Sequence, residues 1–353
     1  MVLANTSAAP AGARVLDPTS DPAWVDLVTH AEDASVFHHP AWLALLQRAY
    51  GYPVEAWCLA GPDGRLVAGL PVATVSSRLT GSRLVSLPFS DRCPAIFRRG
   101  EDTDGAALGE LLEHEQRRRG LNLELHGAPP DGCRRAPGDR FFWHVMALAD
   151  DLDRALAPMH PKQRRNARHA ARLGVRVHRR IDEAAMAAFF RLQVLTRRRL
   201  GVPTQPWRFF REFVPLFEEG LGFVSLAEID GRVVNAAVYL QWMGTLTYKY
   251  SASDPAHRQL RATTLIHTNA VEHAIETGCD TIDLGRSELD NDGLRAFKRQ
   301  LGGEELELAY SWVGRGPARR SVRTVSRLQQ AAIRKAPPAF GRLVGAAVYR
   351  HFG

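Results

Sequence analysis

The sequence predicts an α/β (α+β) protein of two domains, each with a mixed central sheet flanked by helices. Three observations carry this prediction. The chain has 353 residues, well above the usual size of one domain. Hydrophobic residues make up 45% and charged residues 24%, which excludes a disordered, collagen-like or coiled-coil chain. Segments with helical and strand periodicity alternate, and Asp230-Gly231 between two apolar runs is a favoured hairpin turn.

The first half of the chain mixes helices and strands. Two helices are expected between Asp21 and Gly51, the second with Pro40 at an early helical position. A Pro-Asp-Gly turn at 62–64 joins two strands into a hairpin. A helix spans Thr103–Arg119, and the strands predicted here are Val54–Leu59, Arg65–Val75, Arg83–Leu87, Leu121–His126 and Phe141–Leu148.

The second half repeats this outline of helices, an antiparallel hairpin, a helix and a strand, which suggests a structural duplication. Gly278 is a suitable C-cap for the last long helix. The helices predicted are Leu152–Leu173, 182–200, Trp207–Glu219, Arg261–Thr277 and Asp292–Leu301. The strands are Val175–Ile181, Gly222–Ile229, Arg232–Met243, Thr245–Ala252, Thr281–Gly285 and Glu305–Val313.

Four segments follow from this organisation: a disordered lead-in at 1–18, a first domain at 19–150, a second at 151–315 and a basic helical tail at 316–353. The lead-in lacks the basic start and apolar stretch of a secretion signal. No apolar run approaches the roughly 20 residues that span a bilayer. The four cysteines have no metal-ligand or disulfide spacing, so we expect no metal and a cytoplasmic protein.

The net charge of +8 is unevenly distributed. No acidic residue follows Glu307, and residues 308–353 hold nine Lys or Arg, so residues 1–307 carry a net charge of −1. A second acid-free block, 160–180, has eight Lys or Arg, and its Arg164, Arg168 and Arg172 fall on one helical ridge. Such a ridge is either a solvated face or a phosphate-binding surface for tRNA or an anionic lipid-linked sugar.

In the tail, apolar residues recur at helical spacing on both sides of Pro337-Pro338. A basic amphipathic pair of helices either lies on an anionic membrane surface or docks its apolar face on the protein body. The residues concerned are Val322, Val325 and Leu328 before the prolines, and Phe340, Leu343, Val344, Ala347, Val348 and Phe352 after them.

Hydrolase, P-loop, dinucleotide and zinc-protease motifs are missing from the sequence. The basic turn 257–264 precedes a helix, whose N-terminal N–H groups suit phosphate or pyrophosphate. A strand ends at Gly285, where backbone can approach a ligand closely. Lys298 lies beside the apolar stripe of a short helix, from which it is either exposed or placed to stabilise an oxyanion.

Several motifs, in order, resemble the FemAB-type acyltransferases of the GNAT superfamily, with a BioF2-like acetyltransferase domain. Asp-Leu-Gly-Arg-Ser at 283–287, Phe297-Lys298 and a following strand with Tyr310 and Trp312 match the family's D-x-G-R-S and G-x-x-x-F-K-x-x-x-G patterns. Residues 162–175 resemble K-x-R-R-N-x-R-x-A-x-x-x-G-V, residues 86–94 resemble its L-P-F-S-D segment, and 36–42 also fit. The resemblance covers about residues 20–315.

The resemblance implies two GNAT-like domains in tandem, the first of them degenerate and the second with the donor site. It implies transfer of an acyl or aminoacyl group from acyl-CoA, an acyl carrier or aminoacyl-tRNA to an amine, in peptidoglycan or exopolysaccharide synthesis. The family's pyrophosphate turn is glycine-rich, whereas 258–263 contains no glycine; bulkier side chains reduce backbone access and favour a carrier- or tRNA-linked donor.

Residue roles follow from this chemistry, which needs a held carbonyl, a free amine and oxyanion stabilisation. Tyr248 and Tyr250 alternate with Lys249, so both are expected on one side of a strand, as cleft or core residues. The catalytic candidates are Lys298, Arg286 and Tyr250; the donor-binding candidates are Arg258, Arg261, Ala262, Thr263, Gly285 and Ser287; the acceptor-binding candidates are Asp91, Ser90 and Tyr248.

The sequence therefore predicts a cytoplasmic N-acyltransferase, peripheral on the inner membrane face, that acts on an amine-bearing envelope precursor with no permanent cofactor. The alternative is a non-catalytic GNAT-fold module that binds RNA or a membrane-associated glycan assembly. The glycine-free turn favours the alternative, and the Gly285-Arg286-Ser287 and Phe297-Lys298 segments favour an enzyme.

Overall fold

A computed structural model describes residues 8–77, 80–101, 105–316 and 327–351. The described residues divide into two compact units, the first formed from 8–140, 308–316 and 350–351, and the second from 141–307 and 327–349. The boundary expected near residue 150 therefore lies at 140/141, inside one long strand. The strand predicted at 305–313 also crosses from the second unit to the first, after Glu307.

The helices of the chain follow the predicted order, with two of the expected helices divided. Pro161 opens a new helix inside the segment expected as 152–173, because proline suits a first turn and not a helix interior. The helices are α1 Pro22–His30, α2 Pro40–Tyr50, α3 Gly105–Arg119, α4 Leu152–Leu156, α5 Pro161–Arg172, α6 Glu183–Leu200, α7 Trp207–Arg211, α8 Phe213–Glu218, α9 Ala262–Glu276, α10 Asp292–Gln300, α11 Arg327–Lys335 and α12 Pro338–Val348.

The strands also follow the predicted order, with two additions. Residues 13–16, expected in a disordered lead-in, form an edge strand because their backbone pairs with 56–59. The strands are β1 Ala13–Leu16, β2 Val54–Ala60, β3 Leu66–Val75, β4 Arg83–Val85, β5 Ile96–Phe97, β6 Leu123–Leu125, β7 Arg135–Ala147, β8 Arg176–Arg180, β9 Gly222–Ile229, β10 Arg232–Trp242, β11 Thr245–Ser253, β12 Thr281–Glu288 and β13 Glu304–Val313.

In the first unit, β1, β2, β3, β4, β6 and the end of β13 lie side by side, and β5 pairs with β3. Only the β4–β6 pair is parallel among these. Gly69 of β3 lets α1 approach closely, since a Cβ there would lie 2.9 Å from the Trp24 ring. Trp24, Trp42 and Trp57 are fully buried, as expected for a folded core.

In the second unit the strand order is β7-β12-β11-β10-β9-β8, and only β11 and β12 are parallel. Met243 and Gly244 form the tight turn between β10 and β11, both with positive φ. Asp230 and Gly231 form the predicted turn between β9 and β10, also with positive φ. The α9 helix crosses from β11 to β12, which brings the ends of both strands to one edge.

The tail contributes α11 and α12 to the second unit, where both pack against α6. Pro337 separates the two helices, as the sequence indicates. Residues 317–326 and 352–353 and the Leu328 side chain lie outside the described residues, so the expectations for Val322, Val325, Leu328 and Phe352 have no structural counterpart here. Among the helices of the described ranges, none is both long and apolar enough to cross a bilayer.

Candidate active site

The candidate active site lies where β11 and β12 diverge in the second unit. These parallel strands pair only from Thr245 to Thr247 with Thr281 to Asp283. Beyond that point, the facing N–H and C=O groups of 248–253 and 284–288 are not paired with each other. Unpaired strand edges attract another extended chain, so the opening suits an extended donor arm that carries amides or an ester.

A β-bulge at Lys249 shapes one wall of this opening. Tyr248 lies opposite Tyr239 and Tyr250 lies opposite Val238, so Lys249 is the extra residue of the pair. Because Val238 and Tyr239 are adjacent and face opposite ways, so do their partners. The prediction that Tyr248 and Tyr250 share one face is therefore wrong, and the bulge is the physical reason.

The two tyrosines have different surroundings as a result. Tyr248 packs on Tyr239 in the core beside α9, and burial raises its pKa to about 12. Tyr250 contacts the helices on the other side: its ring lies 5.5 Å from that of Phe210, and its hydroxyl accepts a hydrogen bond from Gln205 at 3.2 Å. Tyr250 thus remains a candidate acid, whereas Tyr248 is mainly a packing residue.

Asp283 fixes the backbone of the second wall. This buried carboxylate accepts hydrogen bonds from the Trp143 indole and from the N–H of Gly285, both at 2.7 Å. Gly285 has φ of +71°, a left-handed conformation that glycine adopts without strain. The β12–β7 register also shifts between Asp283 and Arg286, so the strand bends here.

Lys298 fills the space that this bend creates. Its side chain is 5% exposed, and its ammonium donates to the carbonyl oxygens of Gly285 at 2.9 Å and Arg286 at 2.7 Å. The position on α10 therefore places a buried positive charge directly beside the diverging end of β12. Buried charge of this kind stabilises a developing oxyanion more strongly than an exposed one.

Arg286 and Ser287 continue the same wall. The Arg286 guanidinium lies 4.1 Å from the centre of the Phe141 ring, which orients it by a cation–π contact. Ser287 is 2% exposed, and its hydroxyl has no hydrogen-bond partner among the residues that the structure describes. A buried hydroxyl without a partner is costly, and a donor in the opening would supply one.

A network that the sequence does not reveal holds α10 in place. Glu305 accepts two hydrogen bonds from Arg295, at 3.0 and 2.9 Å, and one from Arg299 at 2.9 Å. Its carboxylate also lies 3.1 Å from Nε2 of the fully buried His144. Arg295 in turn stacks 4.0 Å over Phe142. These contacts fix α10, and through it Lys298.

We expect Glu305→Gln to loosen α10 and to flatten the acid dependence of stability. The Arg295 hydrogen bonds lower the pKa of Glu305 from 4.5 to about 2. The carboxylate therefore stabilises the fold fully above its unfolded pKa and loses that contribution as pH falls towards 2. Denaturation midpoints at pH 7 and pH 3 should differ more in the wild type than in the variant. Equal differences would contradict this role.

The α9 N-terminus carries the predicted donor-phosphate residues. Arg258 and Arg261 are exposed, and Arg261 has φ of +57°, so the turn keeps a left-handed backbone without glycine. No side chain caps the helix, which leaves its N-terminal dipole available. The hydroxyl of the buried Thr264 donates to Gln163 at 3.1 Å. Burial, and then Arg258, lower the pKa of Arg199, so this α6 residue adds a nearby cation that sequence spacing could not place.

The remaining donor candidates at this turn are more enclosed. Ala262 is buried at the first helical position, and the hydroxyl of Thr263 accepts a hydrogen bond from Asn235 at 2.7 Å. Both lie next to Arg261, and their backbone opens α9. Their contribution is therefore through backbone rather than side chain.

Residues 161–299 match the family model described as the acetyltransferase (GNAT) domain. This range begins at the first residue of α5 and includes the diverging strands, the α9 turn and Lys298. The second unit therefore contains a segment similar to the GNAT acetyltransferase domain.

Two kinds of relative agree with this assignment. UDP-N-acetylmuramoylpentapeptide-lysine N(6)-alanyltransferase of Weissella viridescens is 24% identical over 127 residues, which are 35% of this chain and 38% of that protein. The chain thus aligns with well under half of this relative's length. The crystal structure of FemX has a TM-score of 0.64 at 15% identity, covering 82% of this chain and 95% of FemX.

A tandem GNAT protein from the clavulanic acid biosynthesis pathway also matches, with a TM-score of 0.52 at 14% identity over 87% of this chain and all of that one. At such identities the structures show a shared fold. The predicted architecture of two tandem GNAT-like domains is therefore confirmed.

The first GNAT-like unit holds the predicted acceptor residues Ser90 and Asp91. Ser90 is 3% exposed and its hydroxyl accepts from the Trp42 indole at 3.0 Å, so it supports the fold of this segment. Asp91 is half-buried, and its backbone carbonyl accepts from Tyr310 at 2.6 Å. Its carboxylate remains the acceptor candidate of this unit. Leu87 and Phe89 have positive φ, which is strained backbone around the same segment.

Across the described ranges, no cluster of three His, Cys, Asp or Glu side chains could hold a metal ion. Burial raises the pKa of the Cys58 and Cys93 thiols, so these two cysteines are poor nucleophiles.

Proposed function

We propose that this protein transfers an acyl or aminoacyl group to an amine, with the donor held between β11 and β12. The observation that carries the proposal is the divergence of these strands beside the buried Lys298 ammonium. Lys298 and Arg286 stabilise the oxyanion, the Ser287 hydroxyl donates to the donor arm, and Tyr250 protonates the leaving group. The attacking amine forms the new amide bond as the ester or thioester bond breaks, and the proton that the amine loses returns to the Tyr250 phenolate.

The donor carries phosphate. Arg258, Arg261 and Arg199 surround the uncapped start of α9, which suits either the pyrophosphate of an acyl-CoA or the backbone of aminoacyl-tRNA. Exposed basic side chains on α5 add a surface for an RNA donor. Among the described residues, Lys162, Arg165, Arg168 and Arg172 take part in no ion pair and are exposed.

We place the reaction in the cytoplasm, on an amine of a peptidoglycan or exopolysaccharide precursor. The name of the Weissella viridescens relative supports this choice, since it describes alanine transfer to the lysine of a UDP-linked pentapeptide. The alternative of a non-catalytic binding module is not favoured, because the site retains a buried ammonium and an unpartnered hydroxyl at the diverging strands.

Mass spectrometry of acceptor products tests the proposal. Purified protein would be mixed with UDP-N-acetylmuramoyl-pentapeptide or glucosamine oligomers, and with alanyl-tRNA, acetyl-CoA or longer acyl-CoAs. We expect one donor class to give an amide product and to raise the melting temperature on binding. Binding of a donor without product on any amine would support the binding module, and no binding of either donor class would contradict the donor site.

A further inference from the structure

The α12 helix docks on the second unit through its glycines rather than through its larger apolar side chains. A Cβ on Gly345 would lie 1.7 Å from the carbonyl oxygen of Thr204, so no other residue fits there. The Thr204 N–H donates to the carbonyl of Gly341 at 3.2 Å, and Val348 lies on the same side and is half-buried. Tyr349 anchors the end by donating to the carbonyl of Pro203 at 3.1 Å.

This docking leaves the opposite face of α12 uncovered, and that face is wholly apolar. Leu343 is 71% exposed and Phe340 is 45% exposed, the first being the most exposed large apolar side chain described. Three alanines complete the face; its exposed members are Ala339, Phe340, Leu343, Ala346 and Ala347. The sequence allowed either a tail on a membrane surface or a tail whose apolar face docks on the protein body. In the structure α12 does dock, but Phe340, Leu343 and Ala347 of the predicted apolar stripe are exposed to solvent.

Exposed basic residues lie on α12 and at the end of α11. Arg334, Lys335 and Arg342 are exposed, and the sequence has no acidic residue after Glu307. An exposed apolar face on a helix pair that carries basic and no acidic side chains matches the interface of an anionic bilayer, where apolar side chains enter the acyl boundary and cations remain with the headgroups.

We propose that the outer face of α12 binds the surface of an anionic phospholipid membrane. RNA fits less well, because the centre of the face is apolar and offers no hydrogen bonds. A second copy of the chain also fits less well, because an 11-residue helix is about 16 Å long and cannot bury the roughly 1,600 Å² of a typical stable interface. This contact is independent of the transfer reaction and keeps the enzyme at the membrane where envelope precursors are assembled.

Vesicle co-sedimentation of the full chain tests the proposal. We expect pelleting with phosphatidylglycerol vesicles at low salt, weaker pelleting at high salt, and little with phosphatidylcholine. Leu343→Glu should reduce the membrane–water partition coefficient about 10- to 100-fold. The variant loses the transfer free energy that the leucine side chain contributes when it moves from water into the bilayer. Its melting temperature should stay unchanged, because Leu343 points outward. Val25→Glu, at a 43% exposed position of α1, is the matched control and should bind like the wild type.

Four outcomes would overturn the proposal: no pelleting with phosphatidylglycerol at low salt, equal pelleting of Leu343→Glu, equal binding to phosphatidylcholine, or a Leu343-dependent dimer in light scattering without vesicle binding. The last would assign the face to a second copy. Transfer activity in solution would be unaffected by Leu343→Glu in every case, so a failure here is distinguishable from a failure of the active site.

Discussion

Lys298→Met is expected to reduce kcat for acyl transfer by about 10²- to 10³-fold with a smaller change in donor KM. Methionine keeps the length and the apolar stem of the buried side chain and removes only the ammonium. The transition state then lacks a positive charge beside the diverging end of β12, and the Gly285 and Arg286 carbonyls lose their donor. Steady-state kinetics with the donor class that gives an amide product would measure both constants.

Two further proteins make this result interpretable. Arg232→Met removes an exposed positive charge elsewhere in the second unit and should retain wild-type kinetics. Lys298→Arg keeps the charge but forces a larger planar group into a site that is 5% exposed, so partial activity is expected. A folded Lys298→Met protein with wild-type kcat would exclude Lys298 from catalysis.

Asp283→Ala is expected to lower the free energy of unfolding by about 3 kcal/mol and to impair transfer. Its carboxylate satisfies two buried donors, the Trp143 indole and the Gly285 N–H, and hydrogen bonds to a charged group are worth about 1.5–3 kcal/mol each. Without the Asp283 carboxylate, the backbone at Gly285 is no longer fixed, and the Gly285 and Arg286 carbonyls that accept from the Lys298 ammonium lose their position. Urea denaturation followed by circular dichroism would measure the loss.

Asp283→Asn retains one oxygen acceptor and should lose less stability than Asp283→Ala. Asp290→Ala, at an exposed acidic position a few residues along the chain, is the matched control and should stay close to the wild type. Equal stability of Asp283→Ala and Asp290→Ala would mean that Asp283 does not organise the end of β12.

The elements of the fold were largely predictable because their signals are local. The dipeptide Asp230-Gly231 predicts the turn that it forms. The succession of strands along the chain before and after α9 follows from short-range periodicity. Pro161 is a local signal for the division of the helix expected at 152–173, because proline suits a first helical turn. The edge strand at 13–16 had no such signal, because its stability comes from pairing with β2.

The site was predictable only in part, because its decisive features are pairings between distant segments. The family resemblance grouped Lys298 with the segment Gly285-Arg286-Ser287. In the structure the Lys298 ammonium contacts the Gly285 and Arg286 carbonyls. The bulge at Lys249 depends on the register with β10 and reversed the prediction for the tyrosines. The contact of Trp143 with Asp283 joins residues 140 positions apart, which spacing cannot reveal.

The central claim is that the donor lies between the diverging ends of β11 and β12. Hydrogen–deuterium exchange of the full chain, with and without saturating alanyl-tRNA or acetyl-CoA, tests it most directly. We predict that the bound donor slows exchange at residues 248–253, 284–288 and the first turn of α9. A donor that binds but protects only segments outside these three would contradict the site proposed here.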